Sequence, residues 1–428
     1  MTASRQPPNT VAERSDWVAF VSLVICSAVA PLSQAMKEIA VGIAVLAWLI
    51  NKAATRTAPP NTSATLPLCF RFLAGLLSML NTVSVPTSLR GLFKIAKAIA
   101  IFTVTADVMR TKRRIMILMQ AVTAGAAVIA LDGFLQVIFG FDPVYRHPVG
   151  NAPGGIPRLT ATFHHANDFA LYAVSVLPVC LTVALGAKSR RSRWLSWGVV
   201  GALGGSLLLT FSRPAAVSVA ASLTAFLMIR RAWRTLAACG IAASLGMAFL
   251  PDSIKTWVAT QPSWFDALVQ PLRKEIWQTA LNMIASHPII GVGVNTFTIN
   301  YARYKLPTDT LQSAYAHNHY LQLTAETGLV GAAAFGWLLM GAVREWRRLL
   351  KSTDPWVTSV AIGLGCGALA FLAMGLLESA LFSSRSRVFF WLWLGTLYGI
   401  RLGLGRASSA PVSPGRISGL DSQVRQAV

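Results

Sequence analysis

Apolar runs of about 18–25 residues recur along the chain, and short clusters of Arg and Lys close one after another of them. A run of that length, with its backbone polar groups satisfied internally, is what a transmembrane helix requires. The composition agrees: of 428 residues, 54% are hydrophobic and 13% charged, and the mean hydropathy is +0.54. A soluble fold of this size would need more charge to cover its surface. The net charge of +22 does not indicate a nucleic-acid binder, because the basic residues fall in short clusters between apolar runs. The sequence therefore predicts an all-α polytopic membrane protein.

Twelve spans are expected, near 17–34, 38–50, 66–83, 91–107, 115–139, 168–186, 195–211, 214–229, 235–250, 317–343, 356–378 and 388–404. With the N-terminus in the cytoplasm, the inner loops carry Lys52 and Arg56, RTKRR at 110–114, KSRRSR at 188–193, RRAWR at 230–234 and REWRRLLK at 344–351. Together with the termini these hold most of the 38 Lys and Arg, so the positive-inside rule orients the chain in a bacterial inner membrane with both termini cytoplasmic. The first ~15 residues are polar and lack a cleavable apolar core, so the first span is expected to act as an uncleaved anchor. Residues 1–406 form one membrane domain in this reading, and 407–428, rich in Ser, Pro and Arg, a disordered cytoplasmic tail. Five cysteines, none in a CxxC pair, read as small apolar residues rather than a disulfide or zinc framework.

Two segments then fall outside: 140–167 and 251–316. In RKEIWQTALNMIASHP, Ile276, Trp277, Ala280, Leu281 and Ile284 recur at helical spacing, which predicts an amphipathic helix on the membrane surface, ended by His287-Pro288. Polar residues where apolar ones would be cheaper mark candidate chemistry. On the outer side these are Arg158, His164, His165, Asn167 and Asp168 in RLTATFHHANDF, Arg213 in TFSRPAAV, Arg273 at the start of the surface helix, and His317 and His319 in AHNHYLQLTAETG. Arg90, Lys94 and Lys97 add a basic stripe at i, i+4 and i+7.

These motifs resemble the O-antigen ligase and polymerase superfamily of membrane glycosyltransferases. His317-Asn318, nine residues and then Gly328 resemble the ligase signature; Arg273 to Trp277 with HPIIGVGVNTF resembles the outer loop, SRPAA the hinge, and TATFHHANDFALY the short motif before a span. The resemblance covers residues 158–331 and the twelve-span plan. Where the ligase pattern often continues with two threonines, this chain has Leu329-Val330-Gly331-Ala332, which leaves ligase against polymerase open.

The resemblance implies a glycan donor on undecaprenyl pyrophosphate, lipid A–core as the acceptor of a ligase, and a periplasmic active site. The leaving pyrophosphate needs positive charge. The outer segments contain no DxD and no acid cluster, whereas Arg213 and Arg273 offer permanent, bidentate partners, so metal-independent transfer without a cofactor is expected. His317 suits the general base, and the want of a carboxylate pair points to a single inverting displacement. Arg158, Asn167, Asn318, Lys97 and Arg90 are the expected substrate-binding residues. Each has a plainer reading: snorkelling for Arg213, Arg90 and Lys94, lipid anchoring for Arg273, a solvated helix end for His317, and solvation for His164 and His165. Helical spacing turns Glu326 away from His317 and puts it with His319 and Gln322, a structural pairing, while His317, Leu321, Thr324, Gly328 and Gly331 form a stripe suited to close helix contact. A polymerase and, from another class, a twelve-span transporter are the rival functions. A transporter would be expected to show repeats and broken mid-membrane helices.

Overall fold

A computed structural model of the protein describes residues 10–151, 157–248, 260, 263, 269, 271–382 and 385–409. Each of the twelve expected apolar runs is helical: α1 Val11–Val29, α2 Gln34–Thr55, α3 Thr65–Ser78, α4 Val85–Val108, α5 Lys112–Phe139, α6 Ala166–Gly186, α7 Arg190–Leu208, α8 Arg213–Ile229 and α9 Trp233–Ala248, then α12 His319–Leu350, α13 Pro355–Met374 and α14 Arg387–Ser409. Between them lie α10 Pro271–Ser286 and α11 Phe297–Tyr304. Among the described residues six helices, namely α2, α5, α6, α12, α13 and α14, are long and apolar enough to cross a membrane, and Thr65–Asn81 and α8 are shorter apolar helices. Twelve is therefore the number of helices that match the expected runs, not an established number of spans. The tail expected from 407 starts later, because α14 runs to Ser409; residues 410–428 and most of 249–270 lie outside the described residues.

The bundle has two distinct ends. At one, Arg114 pairs with Asp16, Lys52 with Asp107 at 2.5 Å, and Lys112 with Asp354 at 2.5 Å. At the other, the Tyr145 hydroxyl donates to the Leu32 carbonyl, Thr162 to Pro31, and Asn81 to Gly291. This grouping is what strictly alternating loops require, and it gathers both expected outer segments at one end. The core between is aromatic, with Tyr172 and Phe169 of α6 and Phe389, Phe390 and Trp393 of α14 essentially without exposure. Cys26, Cys180 and Cys366 are buried, Cys69 and Cys239 exposed, and all five are free thiols.

The outer segments are built differently from the expectation. In the first of them a short ladder forms, β1 Gly150–Asn151 pairing antiparallel with β2 Pro157–Arg158. The helix α10 is present, and protein covers Ile276 and Ala280 of its expected stripe. Ile276, Thr279, Ala280 and Met283 are buried, in a cluster with Phe297 and Tyr301 of α11 and Ala325 of α12, and Leu281 points outward. Thr279 and Met283 complete an i, i+3, i+4, i+7 stripe that excludes Leu281, so protein covers this face.

Gly328 corrects the expected stripe on α12. It has φ +66° and ψ −171°, a region open essentially to glycine, and it breaks the helix in two. The break frees backbone groups, which the Pro288–Gly293 segment takes up: Leu329 N–H donates to Pro288 O, Val330 to Ile289 O, Val292 to Ala325 O and Gly293 to Glu326 O. A Cβ on Gly328 would run into the Ile289 carbonyl. The motif glycine is thus a docking point for the outer segment rather than a helix-packing surface. Gly328→Ala should lower the unfolding temperature of the detergent-purified protein by several degrees, on the order of 1–3 kcal/mol from backbone strain alone. An unchanged melting curve would contradict this account of the break.

Candidate active site

Glu378 lies in the turn after α13, its side chain 12% exposed, and organises the end of the bundle where the two expected outer segments gather. Its Oε1 accepts from Arg273 Nη2 at 2.6 Å and from Asn167 Nδ2 at 2.5 Å, and its Oε2 lies 3.0 Å from His317 Nδ1. Arg273 Nη1 also donates to the Leu377 carbonyl at 2.7 Å, so the guanidinium is held by two groups of one turn. Arg158 donates through Nη2 to Asn167 Oδ1 at 2.9 Å and through Nε to the Thr210 carbonyl at 2.7 Å, which ties β2 to the α7–α8 turn. Arg213, half-buried at the start of α8, is close enough to Arg273 and Arg158 to feel both positive charges. Arg273 and Arg158 are thus joined through Glu378 and Asn167, with Arg213 within electrostatic reach of both guanidiniums.

Local backbone geometry places these groups. His317 is not on α12. Asn318 caps that helix, its Oδ1 accepting from the Tyr320 and Leu321 amides at 3.0 Å each, and His317 precedes it at φ +46°. His317 and His319 are therefore separated by this left-handed turn, not by opposite faces of one helix. Ala161 at φ +49° and Phe211 at φ +48° make similar turns beside Arg158 and Arg213. Non-glycine residues at positive φ are uncommon and gather at functional sites.

Because an ionised carboxylate only accepts, the contact with Glu378 assigns the His317 proton to Nδ1 and leaves a lone pair on Nε2 of the neutral ring. The ring remains 39% exposed, open to a reactant. Burial pushes the Glu378 carboxyl up, but the His317 hydrogen bond and the Arg273 charge more than offset this and hold it below the usual value. Burial also lowers the Arg158 guanidinium from its ordinary value, with Glu378 pulling it back up and Arg273 lowering it further.

Residues 198–336 match the family model described as O-antigen ligase. Over this stretch, 139 of the 428 residues, the chain is similar to the O-antigen ligase family. The stretch contains Arg213, Arg273 and His317, the three residues proposed to carry the chemistry; Arg158, Asn167 and Glu378 lie outside it. No curated protein matches the chain. That similarity and the apolar helices together support a multi-pass membrane protein resembling glycosyltransferase-like enzymes of the O-antigen ligase or polymerase type.

Of the expected site residues, Arg158, Asn167, Arg213, Arg273 and His317 come together and three do not. The Asn318 side-chain oxygen is taken up by capping α12. Lys97 donates to Glu38 Oε2 of α2 at 2.7 Å, in a separate group with Lys37, and Arg90 is exposed on α4. His164 and His165 are exposed, His164 with its ring 4.7 Å from that of His147. Glu326 accepts from the Asn295 amide at 2.7 Å and the Phe297 amide at 3.4 Å, fastening the outer segment to α12, and so does have the structural pairing expected of it, together with Gln322.

Sequence reasoning missed Glu378. It ends an apolar run on the side where the other polar residues gather, and the rule that singled out Arg213 applies equally to it. Glu378→Ala should destabilise the protein by about 3–5 kcal/mol, because it strands Arg273 without its buried counter-charge. Since folding lowers the Glu378 pKa, its stabilisation is fully present above the unfolded value near 4.5 and is lost as pH falls through the lower folded value. Unfolding temperatures measured from pH 7 to 3 should show that acid component in the wild type and not in Glu378→Gln. Identical pH profiles would contradict it.

Proposed function

We propose that the protein is an O-antigen ligase, transferring a glycan from undecaprenyl pyrophosphate to lipid A–core at the periplasmic face of a bacterial inner membrane. The observation that carries this reading is the meeting of Arg158, Arg213 and Arg273 beside a histidine that a buried carboxylate orients. The donor pyrophosphate lies against Arg213 and Arg273, whose fixed charge stabilises the leaving group without a divalent metal or cofactor. His317 Nε2 takes the proton of the acceptor hydroxyl as that oxygen attacks the anomeric carbon. The bond from that carbon to the pyrophosphate oxygen breaks with inversion, and undecaprenyl pyrophosphate departs. Glu378 holds the His317 ring in the required tautomer and is a positioning residue.

The alternative within the superfamily is a polymerase that joins one lipid-linked repeat unit to another, and Leu329-Val330-Gly331-Ala332 in place of the ligase threonines is the feature that favours it. A transporter would not need an oriented base beside three arginines.

Lipopolysaccharide profiling of a deletion strain tests the reading. A ligase predicts loss of all long chains with the polyprenyl-linked polymer retained; core carrying one repeat unit would indicate the polymerase. Complementation by His317→Ala should fail at normal membrane abundance, since general-base catalysis is typically worth about 10²–10⁴-fold. A complementing His317→Ala would overturn the assignment of the base, and purified activity abolished by EDTA and restored by magnesium would overturn the metal-free step.

A further inference from the structure

A second polar pocket adjoins the site but is not part of it. It opens between α3, α4, the Val294–Asn295 loop, α12 and α14, and the Ala380–Phe382 turn forms one wall. Arg71, Lys94, His319, Glu326 and Arg387 line it among apolar side chains such as Ile95, Leu323 and Trp391. Arg71 is 9% exposed, and its Nε and Nη1 have no hydrogen-bond partner; its guanidinium rests over the Phe335 ring at 5.0 Å. His319 is 2% exposed, and neither ring nitrogen has a partner.

The local acids do not match this charge. Glu326 is engaged by the Asn295 and Phe297 amides and by Gln322, and Glu38 by Lys97 at 2.7 Å and Lys37 at 3.1 Å. Lys94 donates to Asn295 Oδ1 at 2.7 Å, a neutral partner. Buried donors without acceptors are costly, and a concentration of them beside apolar walls is what an amphiphilic anion would complete. A phosphate supplies several strong acceptor oxygens, and the apolar lining suits the hydrocarbon or lipid body attached to it.

We propose that this pocket holds the phosphate of a second lipid substrate, while the sugar that lipid carries reaches His317. The proposal rests on the transfer reaction for its purpose but not for its binding chemistry. The Glu378–Phe382 segment separates the two compartments: Glu378 faces His317 and Arg273, while Leu381 and Phe382 line the pocket. His317 and His319, two residues apart, then meet the two ends of the acceptor lipid, the first at its reacting hydroxyl and the second beside its phosphate. Lipid A–core and a second polyprenyl-pyrophosphate glycan share this chemistry, and the test separates them.

The test is native mass spectrometry and equilibrium binding on the full-length protein in detergent. The probes are undecaprenyl pyrophosphate, lipid A, and lipid A stripped of its phosphates. Arg71→Gln/Arg387→Gln should weaken one phosphorylated lipid at least about tenfold while leaving one equivalent of undecaprenyl pyrophosphate bound through Arg213 and Arg273. Loss of lipid A binding supports the pocket with a lipid A-type acceptor; loss of a second equivalent of undecaprenyl pyrophosphate supports it with a polyprenyl-linked one. Wild-type binding of every phosphorylated lipid by the double variant would overturn the proposal, as would a loss of lipid A binding in that variant matched by an equal loss for phosphate-free lipid A. Should the double variant not accumulate, Lys94→Gln, half-buried at the pocket edge, carries the same test with the same expected direction. Because no transfer is measured, failure of the ligase reading and failure of the pocket give different results.

Discussion

The carboxylate of Glu378 takes hydrogen bonds or charge from the start of α6, the start of α10 and the turn before α12, and Asn167 relays the contact to Arg158 on β2. Two of these partners are cations or become so on protonation, and a third guanidinium, Arg213, stands close by. Like charges repel, and the buried anion offsets that repulsion for Arg273 and Arg158. The same anion directs the His317 proton to the nitrogen facing it and the lone pair outward. Arginine positions and base tautomer thus depend on one interaction.

That interaction needs a rigid frame. The break at Gly328 lets the Pro288–Gly293 backbone pair with α12, and Glu326 clamps the next two amides it reaches, those of Asn295 and Phe297. Since α10 leads directly into this segment and buries Ile276, Ala280 and Met283 against α11 and α12, Arg273 is carried on a packed element rather than a floating surface helix. Placement matters because fixed donors stabilise a developing charge only where it appears.

Much of the architecture was legible from the sequence, because apolar length and basic punctuation are direct consequences of a lipid solvent. All twelve runs are helices, and Arg158, Asn167, Arg213, Arg273 and His317 meet. Three features were not legible. The fate of the α10 stripe depends on a tertiary partner, and periodicity does not say whether protein or lipid covers an apolar face. The roles of Asn318 and Gly328 depend on backbone dihedrals at one residue each, a cap and a break, inside what reads as continuous helix. Glu378 belongs to no motif, and its importance comes from neighbours more than 60 residues away in the chain.

The most direct test of the central claim is the initial rate of glycan transfer by Glu378→Gln in proteoliposomes, at equal amounts of folded protein. The substitution keeps the shape and one acceptor oxygen and removes the charge that organises Arg273 and His317. The account predicts a rate lower by on the order of 10²–10⁴-fold, as for loss of an oriented base. A rate within a few-fold of the wild type would contradict it.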